Sequence, residues 1–292
     1  MKKIAFIGLG VMGFHMASHL IKKNLCVNII DRCSHNTKKF IKKYNSTGKI
    51  KIYSELKELA SYSDIIITCV GNDKDLKDIF FSQKGIMSGI KKGSIIVDHT
   101  TASINISLLL SKSFQKKKCF FYDAPISGGE QGAVDGTLSI MVGGDKRKIY
   151  ILRNTIDAYY KSLIYMGKSG NGQLTKMVNQ ICVASIIQGL SEGMHLALSK
   201  NLNIKKLIEV LKNGAGQSWQ LENRALTMSK DKFNFGFMNR LMLKDLNLIF
   251  EEVKNDNINL PVTKEIKKYY KKLVDSGLEK LDTSSLIKLL NN

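Results

Sequence analysis

Lys3-Ile4-Ala5-Phe6-Ile7-Gly8-Leu9-Gly10-Val11-Met12-Gly13 decides how this chain is read. A short apolar run, Lys3–Gly8, has the composition of a buried strand, and the residues after Gly10 open a helical pattern. The three glycines stand where a strand-turn-helix unit needs them: Gly8 for a tight turn, Gly10 for close approach of a phosphate to the backbone, Gly13 for packing of helix on strand. Backbone N–H groups at the helix start then face the phosphate charge. Candidate dinucleotide-binding residues are therefore Gly8, Leu9, Gly10, Val11, Met12 and Gly13. Asp31 ends the next apolar run, where a carboxylate accepts hydrogen bonds from ribose hydroxyls and repels a 2′-phosphate. Arg32 and Ser34 follow at once and can bind that same phosphate, so NAD is favoured and NADP stays open. The basic start, Met1-Lys2-Lys3 before an apolar run, imitates a signal peptide, but a cofactor strand explains the same residues.

Outward from this stretch, further strands are predicted at Val27–Asp31, Asp64–Cys69, Ser94–Asp98, Phe120–Ala124 and Ser139–Gly143. Helical patterns lie between many of them, as in βαβ units of a parallel sheet. After about Gly167 the strand signal stops. Apolar residues recur at helical spacing over Gln173–Leu198, then over Ile204–Lys212, Arg240–Lys254, Val262–Ser276 and Ser284–Leu290. The expected fold is α/β: an N-terminal doubly wound Rossmann domain (residues 1–165), then an all-α C-terminal domain (residues 166–292) joined by a long helix. A length of 292 residues suits two domains at roughly 150 residues each.

Composition narrows the classes. A hydrophobic content of 43% excludes a disordered chain, and no unbroken run of about 18 apolar residues suggests a membrane span. Five cysteines without a CxxC pair argue against a disulfide framework or zinc site and for reduced thiols in the cytoplasm. Lys+Arg number 45 against 25 Asp+Glu, a net charge of +20. The lysines are scattered, with short clusters only at Lys116-Lys117-Lys118 and across Lys264 to Lys272, so a solvated surface is expected rather than a nucleic-acid site. No metal site is expected, since His15, His19, His35, His99 and His195 have no ligand spacing.

Two further stretches carry chemistry. Ser127-Gly128-Gly129 offers a hydroxyl and unhindered N–H donors, a nest for a substrate carboxylate, although such a turn alone is ordinary. On the long helix, Lys176, Asn179 and Gln180 stand at i, i+3 and i+4, hence on one side. A lysine beside amides among Met177, Val178, Ile181 and Val183 is an odd choice for a core; proton transfer would account for it, although from this motif alone a lysine snorkelling to the surface is the plainer reading. Glu192 projects to another side and reads as structural; Trp219 suits a pocket or packing equally. Lys244-Asp245 opens an amphipathic helix, with a surface ion pair as the plain reading.

Together these motifs resemble the β-hydroxyacid dehydrogenase family, which includes the 3-hydroxyisobutyrate dehydrogenases, over essentially the whole chain. The matching blocks are Gly8–Gly13, Asp123–Gly144, Gly167–Gln180 and Lys244-Asp245-Leu246. The resemblance implies an NAD(P)-dependent oxidoreductase acting on a CH–OH group, interconverting a short β-hydroxy acid and its semialdehyde. It makes Lys176 the general acid and gives the substrate carboxylate to Ser127, Gly128 and Gly129. It has Asn179 and Gln180 orient substrate and lysine, Thr101 and Lys244 contact the cofactor near the nicotinamide, and Val70 and Asn72 line the cofactor cleft. The site is expected in the cleft between the domains, in a homodimer or homotetramer built through the helical domain. Ser127-Gly128-Gly129-Glu130 and Asn179-Gln180 look most like the tartronate semialdehyde (2-hydroxy-3-oxopropionate) reductases within the family, with 3-hydroxyisobutyrate as the alternative substrate. Departures are His15, where the family usually has proline, and Gln131-Gly132 in place of Pro-Lys. From another class, a non-catalytic nucleotide-sensing or nucleic-acid-binding module is the rival; a dehydrogenase of phosphorylated sugar acids would want an arginine cluster, and the helical half offers only Arg224 and Arg240.

Overall fold

The computed structural model describes residues 2–30 and 34–290. Nine strands form one sheet: β1 (Ile4–Ile7), β2 (Val27–Ile30), β3 (Ile50–Ile52), β4 (Ile65–Thr68), β5 (Ile95–Asp98), β6 (Phe120–Asp123), β7 (Ile126–Ser127), β8 (Leu138–Gly144) and β9 (Tyr160–Gly167). Their order is β3-β2-β1-β4-β5-β6-β8-β7, with β9 also paired to β8. Pairing is parallel from β3 through β6; β8 then runs antiparallel to β6 and β7 and parallel to β9. The order 3-2-1-4-5-6 is that of a doubly wound dinucleotide fold.

Helices cover both faces of this sheet: α1 (Val11–Lys22), α2 (Ser34–Tyr44), α3 (Leu56–Ser61), α4 (Asp73–Phe81), α5 (Ile86–Gly89), α6 (Ile104–Lys116), α7 (Gly129–Asp135) and α8 (Ile149–Ile156). Burial on both faces is why the central strands read Ile-Ala-Phe-Ile, Ile-Ile-Ile-Thr and Ile-Ile-Val-Asp rather than alternating with polar residues. Successive residues still point to opposite faces. Ile4, Phe6, Ile65, Ile67, Ile95 and Val97 join one core with Met16 and Leu20 of α1. Ala5, Ile7, Ile66 and Ile96 join the other, with Leu76 of α4 and Leu110 of α6.

The helical half comprises α9 (Asn171–Ser199), α10 (Ile204–Leu211), α11 (Trp219–Met228), α12 (Asn239–Glu252) and α13 (Pro261–Asp275). The chain divides into two compact units, Met1–Lys176 and Met177–Asn292, and the division falls within α9. In the second unit Met194, Leu221, Ala225, Met228, Phe233 and Ile287 form a core. Beside it Asp282, 1% exposed, accepts from Arg224 Nε at 3.1 Å and from the Phe237 and Ser284 N–H groups at 2.9 and 3.0 Å. Arg224 also stacks 4.8 Å from the centres of the Trp219 and Phe235 rings.

Several local expectations need correction. The run at residues 284–290 is a 3-10 helix, Thr283–Leu290, rather than an α-helix. Strands β3, β7 and β9 and helix α11 carry no clear sequence signal: β9 is an edge strand with most of its residues partly exposed, and α11 begins in a polar stretch capped by Ser218, whose side chain accepts from Leu221 N at 3.0 Å. Lys244-Asp245 lies inside α12 rather than at its start. By length and composition alone α9 is long and apolar enough to cross a bilayer, with a mean hydropathy of 1.4 over 18 residues, so the lack of an unbroken apolar run does not exclude that. Its buried positions, however, include Gln173, Lys176, Gln180, Gln188 and Ser191, polar groups that suit a protein interior supplying partners.

Candidate active site

The glycine turn joins β1 to α1. Gly8 has φ +97°, and a side chain there would run into the Cys69 carbonyl and come within 3.0 Å of Val70 Cγ1. A Cβ on Gly13 would collide with the Gly8 carbonyl and meet the Phe6 ring at 2.9 Å. These two glycines are demanded by the protein's own backbone. Gly10 is different: among the described residues nothing lies within 4 Å of a Cβ built there, and it is the N-cap of α1. The turn is held from the side by Asn36, whose Nδ2 donates to the Leu9 carbonyl at 2.8 Å, a contact with no sequence signal. Open space over Gly10, with the N–H groups of the first turn of α1 behind it, fits a dinucleotide pyrophosphate. Val11 and Met12 open α1; Asp31 and Arg32 lie outside the described residues.

The loops after β4 and β5 stand beside this turn because β1, β4 and β5 are neighbours. Val70 N donates to Thr100 Oγ1 at 3.1 Å, which ties the two loops together. Asn72 is occupied as the cap of α4: its Oδ1 accepts from Asp75 N at 3.0 Å. Thr101 follows Thr100, whose N–H donates to Asp98 Oδ1 at 3.1 Å; the Thr68 hydroxyl donates to the same oxygen at 2.7 Å. Among the described residues Asp98 Oδ2 is buried without a hydrogen-bond partner. Burial pushes the Asp98 carboxyl up to about 7, against the opposing hydrogen bonds from Thr100 and Thr68.

Its folded pKa exceeds the unfolded value, so this group's contribution to stability is complete below about pH 4 and is lost as pH rises through about 7. Asp98→Asn keeps an acceptor for Thr68 and Thr100 and removes the titration. The difference in melting temperature, variant minus wild type, is expected to become more positive from pH 5 to pH 8; a difference constant with pH would contradict the assignment. The next residue, His99, is held by structure. Its Nδ1 donates to the Ala124 carbonyl at 2.6 Å, so Nε2 accepts from the Tyr159 hydroxyl at 2.9 Å. Burial lowers its pKa to about 4, which keeps the ring neutral.

Ser127 ends β7, paired with Ser139 of β8, and Gly128 and Gly129 follow with φ of 126° and 64°. Both φ values lie in the positive region that disfavours a side chain, which is why glycine stands at both places. Asp123, at the end of β6, accepts from Gly170 N at 2.9 Å and Gln173 N at 3.1 Å, which anchors the start of α9. Burial raises this carboxyl to about 6, with the Gly170 N–H bond the leading opposing influence. The approach is close: a Cβ on Gly143 would lie 2.7 Å from Asp123 Oδ1 and 2.8 Å from Gly172 N. Lys176 follows on α9 and is 7% exposed.

In the second unit, Asn179 Nδ2 donates to Gln180 Oε1 at 2.8 Å, and Gln180 Nε2 donates to Asp245 Oδ2 at 2.7 Å. Lys244 Nζ lies 3.2 Å from Asp245 Oδ1. Three of the residues singled out in the sequence, Asn179, Gln180 and Lys244, thus meet through Asp245, which is 2% exposed. The surface ion pair read from the sequence is therefore a buried carboxylate holding an amide and an ammonium in place. Two other residues without a sequence signal are Gln173, joined to the Thr100–Ala102 segment, and Asn36. Arg224 is committed to Asp282, which removes one of the helical half's two arginines, Arg224 and Arg240, from any phosphate site. Among the described residues no cluster of His, Cys, Asp and Glu suits a metal.

Comparison with known proteins agrees with this geometry. The family model described as the NAD binding domain of 6-phosphogluconate dehydrogenase matches residues 3–167, and that described as NAD-binding of NADP-dependent 3-hydroxyisobutyrate dehydrogenase matches residues 170–290. An uncharacterized oxidoreductase of Shewanella frigidimarina is 41% identical over 287 residues, 98% of this chain and 97% of that protein. A probable 3-hydroxyisobutyrate dehydrogenase-like protein of Arabidopsis thaliana is 32% identical over 286 residues, 98% of this chain and 84% of that one. In fold, Mycobacterium tuberculosis 3-hydroxyisobutyrate dehydrogenase, solved with L-serine, is similar with a TM-score of 0.87 and 23% identity, covering 100% of both chains. The open glycine turn, the doubly wound sheet ahead of a helical half and these full-length matches agree: the chain belongs to the β-hydroxyacid dehydrogenase family and is an NAD(P)-dependent oxidoreductase acting on a CH–OH group.

Proposed function

We propose that the chain reduces tartronate semialdehyde (2-hydroxy-3-oxopropionate) to glycerate, with Lys176 as the general acid. The observation that carries this reading is Lys176 itself: an ammonium 7% exposed, near the start of a helix anchored to the end of β6 by Asp123. Lysine side chains are mostly exposed, and a proton-transfer role accounts for one this far from bulk water. When bound, a reduced nicotinamide supplies the hydride. Lys176 gives its Nζ proton to the aldehyde oxygen as the carbon gains hydride, stabilises the charge developing on that oxygen, and regains a proton from solvent. Ser127, Gly128 and Gly129 hold the substrate carboxylate, and Asn179 and Gln180, held by Asp245, orient the substrate. Val70 and Thr101 serve the nicotinamide end of the cofactor, and Lys244 assists there; Asn72 contributes by shaping its loop. Asp31 and Arg32 set the choice between NAD and NADP.

The fragments Ser127-Gly128-Gly129-Glu130 and Asn179-Gln180 support tartronate semialdehyde; the Arabidopsis relative's name supports 3-hydroxyisobutyrate as the alternative. A spectrophotometric screen of short hydroxy acids and semialdehyde acids with NADH and NADPH decides between them. The proposal expects the highest kcat/KM with tartronate semialdehyde and fails if another acid is preferred by more than about tenfold, which is 1.4 kcal/mol of transition-state discrimination. A cytoplasmic setting belongs to the same reading, supported by the described cysteines Cys26, Cys119 and Cys182, which form no disulfide. So does a homodimer or homotetramer through the helical half, whose Val178, Ile186, Leu196, Val210 and Val262 are exposed; a monomer in sedimentation would refute it. Neither nucleic acid nor membrane has a part in this reading.

A further inference from the structure

We infer that Gln173 is a positioning residue that holds the Thr101 loop at a set distance from the helical turn carrying Lys176. Gln173 is fully buried. Its side-chain amide spans the loop after β5 around Thr101: Nε2 donates to the Thr100 carbonyl at 2.7 Å and Oε1 accepts from Ala102 N at 3.1 Å. Its own backbone N–H donates to Asp123 Oδ2 at 3.1 Å. One residue therefore joins β5's loop, β6's last residue and the first turn of α9. The loop it grips is already tied to the next one, since Val70 N donates to Thr100 Oγ1 and Thr100 N to Asp98 Oδ1, both at 3.1 Å.

The consequence follows from helix geometry. Lys176 stands three residues after Gln173, one turn along the same side of α9. A displacement between the Thr101 loop and this turn therefore appears directly as a displacement between the place of the nicotinamide and the proton donor. This inference rests on the proposed roles of Lys176 and Thr101. Gln173 touches neither substrate nor cofactor in it. Hydride and proton transfer need the reacting atoms in near-attack geometry, and a misplacement of about 1 Å costs about 100-fold in rate. The start of α9 keeps a separate anchor, Gly170 N on Asp123 Oδ1 at 2.9 Å, so the helix persists when the side chain of Gln173 is changed.

Two substitutions separate positioning from bulk packing. Gln173→Met fills similar space without either hydrogen bond. It should lower kcat by about 100-fold while the NADH dissociation constant, read by fluorescence, stays within about threefold of wild type. Gln173→Glu makes the test pH-dependent. As a neutral acid its O–H replaces the amide donor to the Thr100 carbonyl and its C=O still accepts from Ala102 N; as a carboxylate it lacks the donor. The ionisable groups on the elements bonded to Gln173 are Asp98 and His99 at the end of β5, Tyr122 and Asp123 of β6, and Lys176, Cys182, Glu192 and His195 of α9, all present in the wild type, so the ratio of variant to wild-type kcat cancels their own titration to first order. That ratio should rise at least tenfold from pH 9 to pH 6; by linkage the melting temperature relative to wild type rises over the same interval, because the carboxyl is neutral only in the folded protein, so kcat is read well below both melting temperatures.

A kcat within threefold of wild type in Gln173→Met overturns the inference. So does a Gln173→Glu ratio that is flat with pH, which would mark a merely structural residue; this second test decides alone if the methionine variant does not fold. Lys176→Ala is measured in parallel. If it keeps wild-type turnover, the reading of Lys176 fails and takes this inference with it. If it is inactive while both Gln173 variants turn over normally, only the role of Gln173 is refuted.

Discussion

Lys176→Ala is expected to lower kcat by about 100- to 10,000-fold and to leave NADH affinity within about twofold. The split follows from the site. Lys176 lies on α9 near the end of β6, while the turn that fits a pyrophosphate lies between β1 and α1 and makes its own contacts to Cys69, Phe6 and Asn36. In the proposed role, loss of the amine removes proton donation and a positive charge that would stabilise the developing alkoxide, neither of which the cofactor turn uses. Lys176→Arg separates these two effects. Guanidinium keeps the charge but does not release a proton at ordinary pH, so an enzyme that needs proton transfer stays nearly inactive with arginine. Steady-state kinetics with isothermal titration of NADH reads both quantities. Turnover of Lys176→Ala at the wild-type level would end the assignment, and recovery by arginine would leave only its electrostatic half.

The second large effect concerns the three glycines, which the structure divides into two kinds. Gly10→Ala should leave melting temperature within about 1 °C, because open space surrounds the added methyl, and should weaken NADH binding by about tenfold or more as that methyl occupies the path of the pyrophosphate. Gly8→Ala should act on the fold itself. Its φ of +97° and the collision with the Cys69 carbonyl leave no place for a side chain, so stability falls along with binding. Gly13→Ala meets the Gly8 carbonyl and should resemble Gly8→Ala. Thermal melts beside cofactor titrations separate the classes. Equal loss of stability in Gly8→Ala and Gly10→Ala would show that the turn is only a packing feature.

The legible features were local ones. A parallel strand buried on both faces must be almost wholly apolar, so β1, β4 and β5 appear as runs of Ile, Val, Ala and Phe. A helix following a glycine turn repeats at helical spacing, and a sheet of such units has few ways to be ordered. Strands β3 and β9 escaped for the opposite reason. At an edge, one side of the backbone is unpaired and the faces are partly solvated, so Lys51 and Lys161 are tolerated where a central strand would exclude them. Asp245 escaped because a surface ion pair and a buried carboxylate holding Gln180 have the same local sequence.

From the chain's own order of residues came the doubly wound class, the glycine turn after β1, the paired glycines after β7 and the lysine on the long helix, since each depends on neighbours a few positions apart. Only the folded molecule distinguished Gly10 from Gly8, gave Asn72 to a helix cap, turned Asp245 inward and placed Gln173 across the Thr101 loop. Those outcomes depend on hydrogen bonds and close contacts between segments as much as 73 residues apart, as from Gln173 to Thr100, and no pattern within a single segment encodes such a partner.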